Sequence, residues 1–247
     1  MNVKRHIIRG SILLLLLTCS CSKDEDFYYE PDVDQWNDKP SAADSQVCQA
    51  IVTSKISPSG EVYFQVTENE RVYPANFRDF GYPFDRPRRI VCELVVFDRP
   101  YGDLGRYALI DWMEFVQEGP VQGGGQFDAG EVGYSAEEDG LDVLNDWMTS
   151  LEDGFLTLHF SAWWGYQPKR HEFLLLTGTN PDDPYEVRLV HHANGDPKSM
   201  EADALVAFDL SGRLPVPEYT ANTQVTLTWK NTSGEINRRQ FPYCGRD

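Results

Sequence analysis

The sequence predicts an all-β protein, a small barrel or sandwich of five strands followed by an antiparallel β-sandwich. Three observations carry that expectation. Apolar and polar residues alternate in short runs: Val62, Phe64 and Val66 against Tyr63, Gln65 and Thr67 have the period of a half-buried strand. Clusters of Gly, Pro, Asn and Asp separate those runs at the spacing of turns. Helical periodicity is scarce in both halves.

Residues 1–21 stand apart from this pattern. Lys4, Arg5 and Arg9 precede an apolar run from Ile12 to Leu17, and Thr18-Cys19-Ser20-Cys21 follows. That order is the layout of a secretory signal. The run is far shorter than the roughly 20 residues a spanning helix needs. A lipoprotein signal ends in a cysteine that is acylated and becomes the first residue of the mature chain. Cys19 has Leu16 three places before it but an atypical Thr18 immediately before it; Cys21 follows a suitable Ser20 but has a less suitable Thr18 three places before it. Lys23-Asp24-Glu25-Asp26, a lysine and then acids, resembles the export signal of Gram-negative lipoproteins that face outward from the outer membrane, and its spacing fits Cys21. Cys21 is the expected lipidation site and Cys19 the alternative. The expected location is the outer membrane, facing outward, with lipid as the membrane contact.

Composition narrows the partners. The formal charge is −17, and losing Lys4, Arg5 and Arg9 with the leader makes the mature chain three charges more negative. Nucleic-acid affinity depends on cations that displace phosphate counterions, so no nucleic-acid partner is expected. The same charge opposes anionic lipid surfaces and keeps an exposed protein soluble. Beyond the leader stand Cys48, Cys92 and Cys244, an odd number that makes no disulfide framework. Cys48 and Cys92 could pair across neighbouring strands or remain buried thiols.

Residues 22–45 are acidic, polar and aperiodic, with Pro31 and Pro40, and read as a flexible tether. A small five-stranded β domain follows over 46–117. Residues 47–55 and 61–67 form a hairpin across Pro58-Ser59-Gly60, Arg71–Ala75 a third strand, residues 90–96 a fourth and Arg106–Val116 a fifth; residues 78–87, with two prolines, form a loop. Residues 118–140, with the glycines 123–125, read as a Gly-rich acidic linker. No helical pattern follows Gly125, which argues against a phosphate loop. The sandwich occupies 141–247, with strands at 156–162, 170–177, 185–192, 204–210 and 224–231.

Few residues invite chemistry. His171, His191 and His192 are the only metal candidates, but adjacent histidines on a strand point to opposite faces, so neither a metal site nor a cofactor is expected. The acidic turns lack the alternating oxygen ligands of a calcium loop. No Gly-x-Ser-x-Gly elbow is present and no carboxylate pair stands out, so no catalytic residue is assigned. Leu156, Leu158, Phe160 and Ala162 set an inward phase that Trp164 continues, which turns Trp163 outward beside Tyr166. Trp163 and Tyr166 are therefore candidate contacts for a sugar ring or a partner protein.

A family resemblance lies in the second half. Trp147, the run from Leu151 to Phe160, Lys169-Arg170-His171-Glu172-Phe173, Asp183-Pro184-Tyr185 through Leu189, and His192-Ala193-Asn194-Gly195-Asp196 resemble the NigD-like lipoproteins. The first half is similar more weakly, through its strand pattern and Val95-Val96-Phe97-Asp98. The resemblance implies that 46–117 is an OB-like domain, the small OB-like barrel, and 141–247 a C-terminal β-sandwich, and it brings no catalytic residues to carry over. Through the operon that names the family, it implies a bacteriocin-associated or immunity role. A glycan-binding accessory lipoprotein is the alternative, and a hydrolase with an unrecognised site the third reading.

Metabolic labelling with a palmitate analogue tests the leader. Label should appear on the wild type, persist in Cys19→Ala and vanish in Cys21→Ala; label that survives loss of both cysteines contradicts lipid anchoring.

Overall fold

The computed structural model describes residues 45–67, 69–101, 105–123, 138–216 and 223–243. Cys19, Cys21, Lys23, Asp24, Glu25, Asp26, Cys244 and nearly all of the tether lie outside the described residues.

Five strands build the first domain: β1 (Ser45–Ile56), β2 (Val62–Thr67), β3 (Glu70–Pro74), β4 (Arg88–Tyr101) and β5 (Gly105–Phe115). They close into a barrel in the order β1-β2-β3-β5-β4, with β4 returning to β1. The β3–β5 pair is parallel, and the other four pairings are antiparallel. Alternation puts Val52, Val62, Phe64, Val72, Ile90, Leu94 and Ile110 into one buried cluster. Cys48 and Cys92 are free thiols. The Cys92 thiol donates to the Ala50 carbonyl at 3.7 Å, and burial pushes its pKa up to about 12.

The proline-rich loop after β3 closes one end of the barrel without an α-helix. Asn76 imitates a paired strand: its amide donates to the Ile110 carbonyl at 2.9 Å and its Oδ1 accepts from the Ile110 N–H at 2.8 Å. A single 3-10 turn, Phe77–Phe80, follows. Phe77, Phe80 and Phe84 pack on the barrel core, and Phe84 lies 5.6 Å from Phe77 and 6.0 Å from Phe115 between ring centroids.

The second domain is a two-sheet sandwich. One sheet runs β6 (Gln117–Glu118), β13 (Met200–Asp209), β10 (Phe155–Trp164), β8 (Asp142–Val143), and β9 (Ser150–Glu152) also pairs with β10. The other runs β15 (Ile236–Pro242), β14 (Gln224–Lys230), β12 (Glu186–His192), β11 (Glu172–Thr177), β7 (Val121–Gly123). Its long neighbours pair mostly antiparallel, but β6–β13, β7–β11 and β12–β14 are parallel. Two strands fall inside the stretch read as linker: β6 reaches Glu118 and β7 spans Val121–Gly123, and both join sandwich sheets. Strands of two or three residues carry no readable alternation, which is why composition alone suggested a linker there.

Strand β10 is buried on both faces. Leu156, Leu158, Phe160 and Ala162 enter the sandwich core. On the opposite face Phe155 packs with Val116 and Ala207, against Val91 of the barrel. Arg89, on β4 and 1% exposed, reaches across the same junction. Its guanidinium donates to Thr53 Oγ1 at 3.0 Å in the barrel, and to Thr157 Oγ1 at 3.1 Å and Glu152 Oε2 at 3.2 Å in the sandwich. Lys55 and Asp153 add an ion pair at 2.7 Å.

Arg89→Ala leaves the hydroxyls of Thr53 and Thr157 buried without this donor and opens a void, at a cost of about 3 kcal/mol. A urea midpoint equal to that of the wild type would rule out this role for Arg89.

Candidate functional site

Four tyrosines gather on the outside of the barrel. In β2 and β3 the inward phase belongs to Val62, Phe64 and Val72, which turns Tyr63 and Tyr73 outward. In β5 Ala108 and Ile110 point in and Tyr107 points out, at a position paired in register with Tyr73. Tyr101 ends β4. Ring centroids lie 6.0 Å apart for Tyr63–Tyr73, 4.4 Å for Tyr73–Tyr101 and 4.5 Å for Tyr101–Tyr107. The interplanar angles run from 36° to 61°, so the rings lean on one another, an arrangement that contributes about 0.5–1.5 kcal/mol per pair beyond area burial. All four side chains are half-buried.

Glycine at position 105 makes this packing feasible. A Cβ there would stand 2.4 Å from Cε2 of Tyr73, so any larger residue must push that ring away.

Polar groups rim the rings. The Tyr101 hydroxyl donates to Glu61 Oε1 at 2.5 Å; this bond, with burial and the Glu61 charge, raises the phenol pKa to about 12. Arg71 lies over Tyr63, 5.1 Å from the ring centroid, and donates through Nε to Gln65 Oε1 at 3.3 Å. Arg106 pairs with Glu70.

The histidines singled out in the sequence divide. His171 and His191 meet inside the sandwich, with Nε2 of His191 3.0 Å from Nδ1 of His171, while His192 turns to the other face of β12. Nε2 of His171 lies 3.2 Å from Asp196 Oδ2, and the Gly165 N–H donates to the same oxygen at 2.9 Å. An ionised Asp196 can only accept, so His171 donates from Nε2 and accepts at Nδ1 the hydrogen bond that His191 donates from Nε2. Trp164 stacks on His171 at 3.8 Å and Phe173 on His191 at 5.1 Å. Burial lowers the pKa of His171, and burial with the neighbouring His171 lowers that of His191 to about 4. The Gly165 hydrogen bond leads in lowering that of Asp196. This chain is sealed from solvent, with side-chain exposure of 1% for His171 and 0% for Asp196. No group of three metal-ligating side chains is assembled among the described residues.

A second His–acid pair, His159 Nδ1 with Asp146 Oδ2 at 2.5 Å, sits on the outer side of β10. The nearby Ser161 hydroxyl donates to Glu201 at 2.7 Å, so His159 does not activate it. A shallow depression of about 510 Å³ lies over β14 and β15, and its Arg238 pairs with Glu186 at 3.1 Å.

Trp163 and Tyr166 are exposed, by 39% and 79%. No ring contact joins them among the described residues. Trp164 instead turns inward and its Nε1 donates to the Ala202 carbonyl at 3.0 Å. Sequence reasoning missed the barrel tyrosines. Their signal was present: Tyr63, Tyr73 and Tyr107 each stand out of phase with their strand's apolar positions. Their convergence depends on the β3–β5 pairing, which no local pattern encodes.

Fold and site together define a two-domain all-β protein whose barrel carries an aromatic face. Residues 127–243, which make up nearly all of the second domain, match the family model described as the NigD-like C-terminal beta sandwich domain. Three solved structures share the fold. A protein of Parabacteroides distasonis described provisionally as toxin-related is 20% identical, with a TM-score of 0.64, covering 81% of this chain and 94% of its own. A NigD-like immunity protein of Bacteroides caccae is 16% identical, with a TM-score of 0.54 and coverages of 78% and 92%. A protein of Bacteroides fragilis described provisionally as a lipoprotein is 13% identical, with a TM-score of 0.55 and coverages of 82% and 100%. No curated protein matches the chain.

The buried histidines set a pH response. The folded state holds His171 and His191 neutral, whereas in the unfolded chain they take up protons near the ordinary value of about 6.5. Stability is therefore full above about pH 6.5 and falls as the pH drops toward about 4, the folded value of His191. Thermal melts should show that decline, and His191→Phe, which keeps the stack on Phe173, should flatten it. A melting temperature constant from pH 7 to 5 contradicts the assignment.

Proposed function

We propose that the protein is a non-catalytic binding protein, acylated at Cys21 and held on the outward face of the outer membrane. The observation that carries the binding reading is the four-tyrosine face, a half-buried aromatic surface with a polar rim on a closed, rigid barrel. Tyrosine and arginine are enriched at the hot spots of binding surfaces, tyrosine because it offers large contact area with few rotors. The leader and Lys23-Asp24-Glu25-Asp26 support the anchoring, and the Bacteroides fragilis neighbour described provisionally as a lipoprotein agrees with it. The two His–acid pairs fit structural roles, one sealed in the core and the other without a serine to activate. Trp163 and Tyr166 offer a second, smaller contact on the sandwich.

A role in immunity toward a bacteriocin is a second reading, favoured by the Bacteroides caccae neighbour called an immunity protein.

On intact cells an impermeant amine reagent should label the protein, and replacing Asp24, Glu25 and Asp26 with Ala should abolish that labelling while palmitate incorporation persists. Labelling only after the cells are broken overturns the outward orientation. Deleting the gene should change sensitivity to a bacteriocin if the second reading holds; unchanged sensitivity across a panel removes it.

A further inference from the structure

We propose that the tyrosine face of the barrel binds neutral, hydroxyl-rich glycan chains. This rests on the reading of the protein as a binding protein and names its ligand class.

The rings fit sugar rather than a flat ligand. Tyr63, Tyr73, Tyr101 and Tyr107 follow one another in steps of 6.0, 4.4 and 4.5 Å, comparable to the width of a sugar ring. A chain of sugars can lay apolar C–H groups along the solvent-facing part of this ring cluster, with its hydroxyls turned to the polar rim. Leaning rings give a stepped surface, which suits a chain of puckered rings better than a planar base.

The rim selects by charge. Glu61 accepts from Tyr101, Glu70 pairs with Arg106, and Arg71 is held between Tyr63 and Gln65. An anionic ligand must approach Glu61 and Glu70 or break the Arg106 pair, and a cationic one must displace Arg71 or Arg106. A neutral polyol separates no pair. It uses the remaining lone pairs and N–H groups of carboxylates and guanidinium, which are the stronger kind of hydrogen-bond partner. Residues 45–117 carry eight Lys and Arg against ten Asp and Glu, so the barrel is nearly balanced while the whole chain stands at −17. That overall field repels acidic polymers. OB barrels present the face of their second and third strands to oligosaccharides or oligonucleotides, and here the electrostatics disfavour the oligonucleotide.

Gly105 shows that the surface depends on sequence beyond the tyrosines. Its missing Cβ lets the Tyr73 ring lie between Tyr63 and Tyr101, which joins the rings into one run.

The mature acylated protein in detergent micelles, applied to an array of neutral hexose oligosaccharides with uronic-acid and sulfated counterparts beside them, tests this. Neutral chains should be retained over acidic ones, and affinity should stay within about twofold from low to high salt. Tyr73→Ala, Tyr107→Ala and Gly105→Val should each weaken binding about tenfold or more, equivalent to about 1.4 kcal/mol. Trp147→Ala, an exposed sandwich aromatic, should not. Tyr107→Phe keeps the ring and the fold and should retain most of the affinity, which separates lost stacking from lost folding. A silent array, a preference for acidic chains, or binding lost in Trp163→Ala and kept in the tyrosine variants overturns the proposal. A surface protein captured through the tyrosines with no glycan bound would overturn the ligand class and leave the binding reading intact. If the protein proves inaccessible on intact cells and captures nothing, that reading fails as well.

Discussion

The buried guanidinium of Arg89 is the contact on which the two-domain body depends. Taking a charge out of water costs several kcal/mol unless partners replace the hydration. Here two threonine hydroxyls and the Glu152 carboxylate do so, from both sides of the domain junction. Around that polar centre, Val116, Phe155 and Ala207 exclude water, and Lys55 and Asp153 close one side. Strand β4 begins at Arg88 beside this junction and ends at Tyr101 in the aromatic face. A single strand therefore couples the domain interface to the candidate site, and any loss of register in β4 would disturb both.

The legible part of the fold was the part encoded locally. The hairpin of β1 and β2, the strand β10 and its inward phase, and the outward turn of Trp163 all follow from two-residue alternation and turn chemistry. Strand β15 reads Ile-Asn-Arg-Arg-Gln-Phe-Pro, and its alternation is hidden because Asn237 and Arg239 share the inward phase of Phe241 while Ile236 stands on the exposed face. The short strands β6 to β9 owe their existence to longer partners and leave no periodic trace. Parallel pairings such as β3–β5 and β12–β14 join segments far apart in sequence, so they follow from topology and not from spacing.

The same division governs the sites. Pairing His191 with His171 requires β11 and β12 to lie side by side, and the aspartate that completes the chain comes from the turn after β12. Adjacency alone correctly separated His191 from His192. The tyrosines were each readable as outward, yet a patch arises only when β2, β3, β4 and β5 wrap into a barrel. Gly105 lies outside the reach of pattern reading altogether, because its role is defined by a ring 32 positions earlier in the chain. The sandwich supplies the family likeness, and the barrel supplies the surface best suited to contact.

Hydrogen exchange on the mature protein, with and without a saturating neutral oligosaccharide, addresses the location of that surface most directly. Slowed exchange concentrated in residues 62–74 and 105–110, with the sandwich strands unchanged, is the predicted result. Protection confined to residues 155–166 would contradict it and move the contact to Trp163.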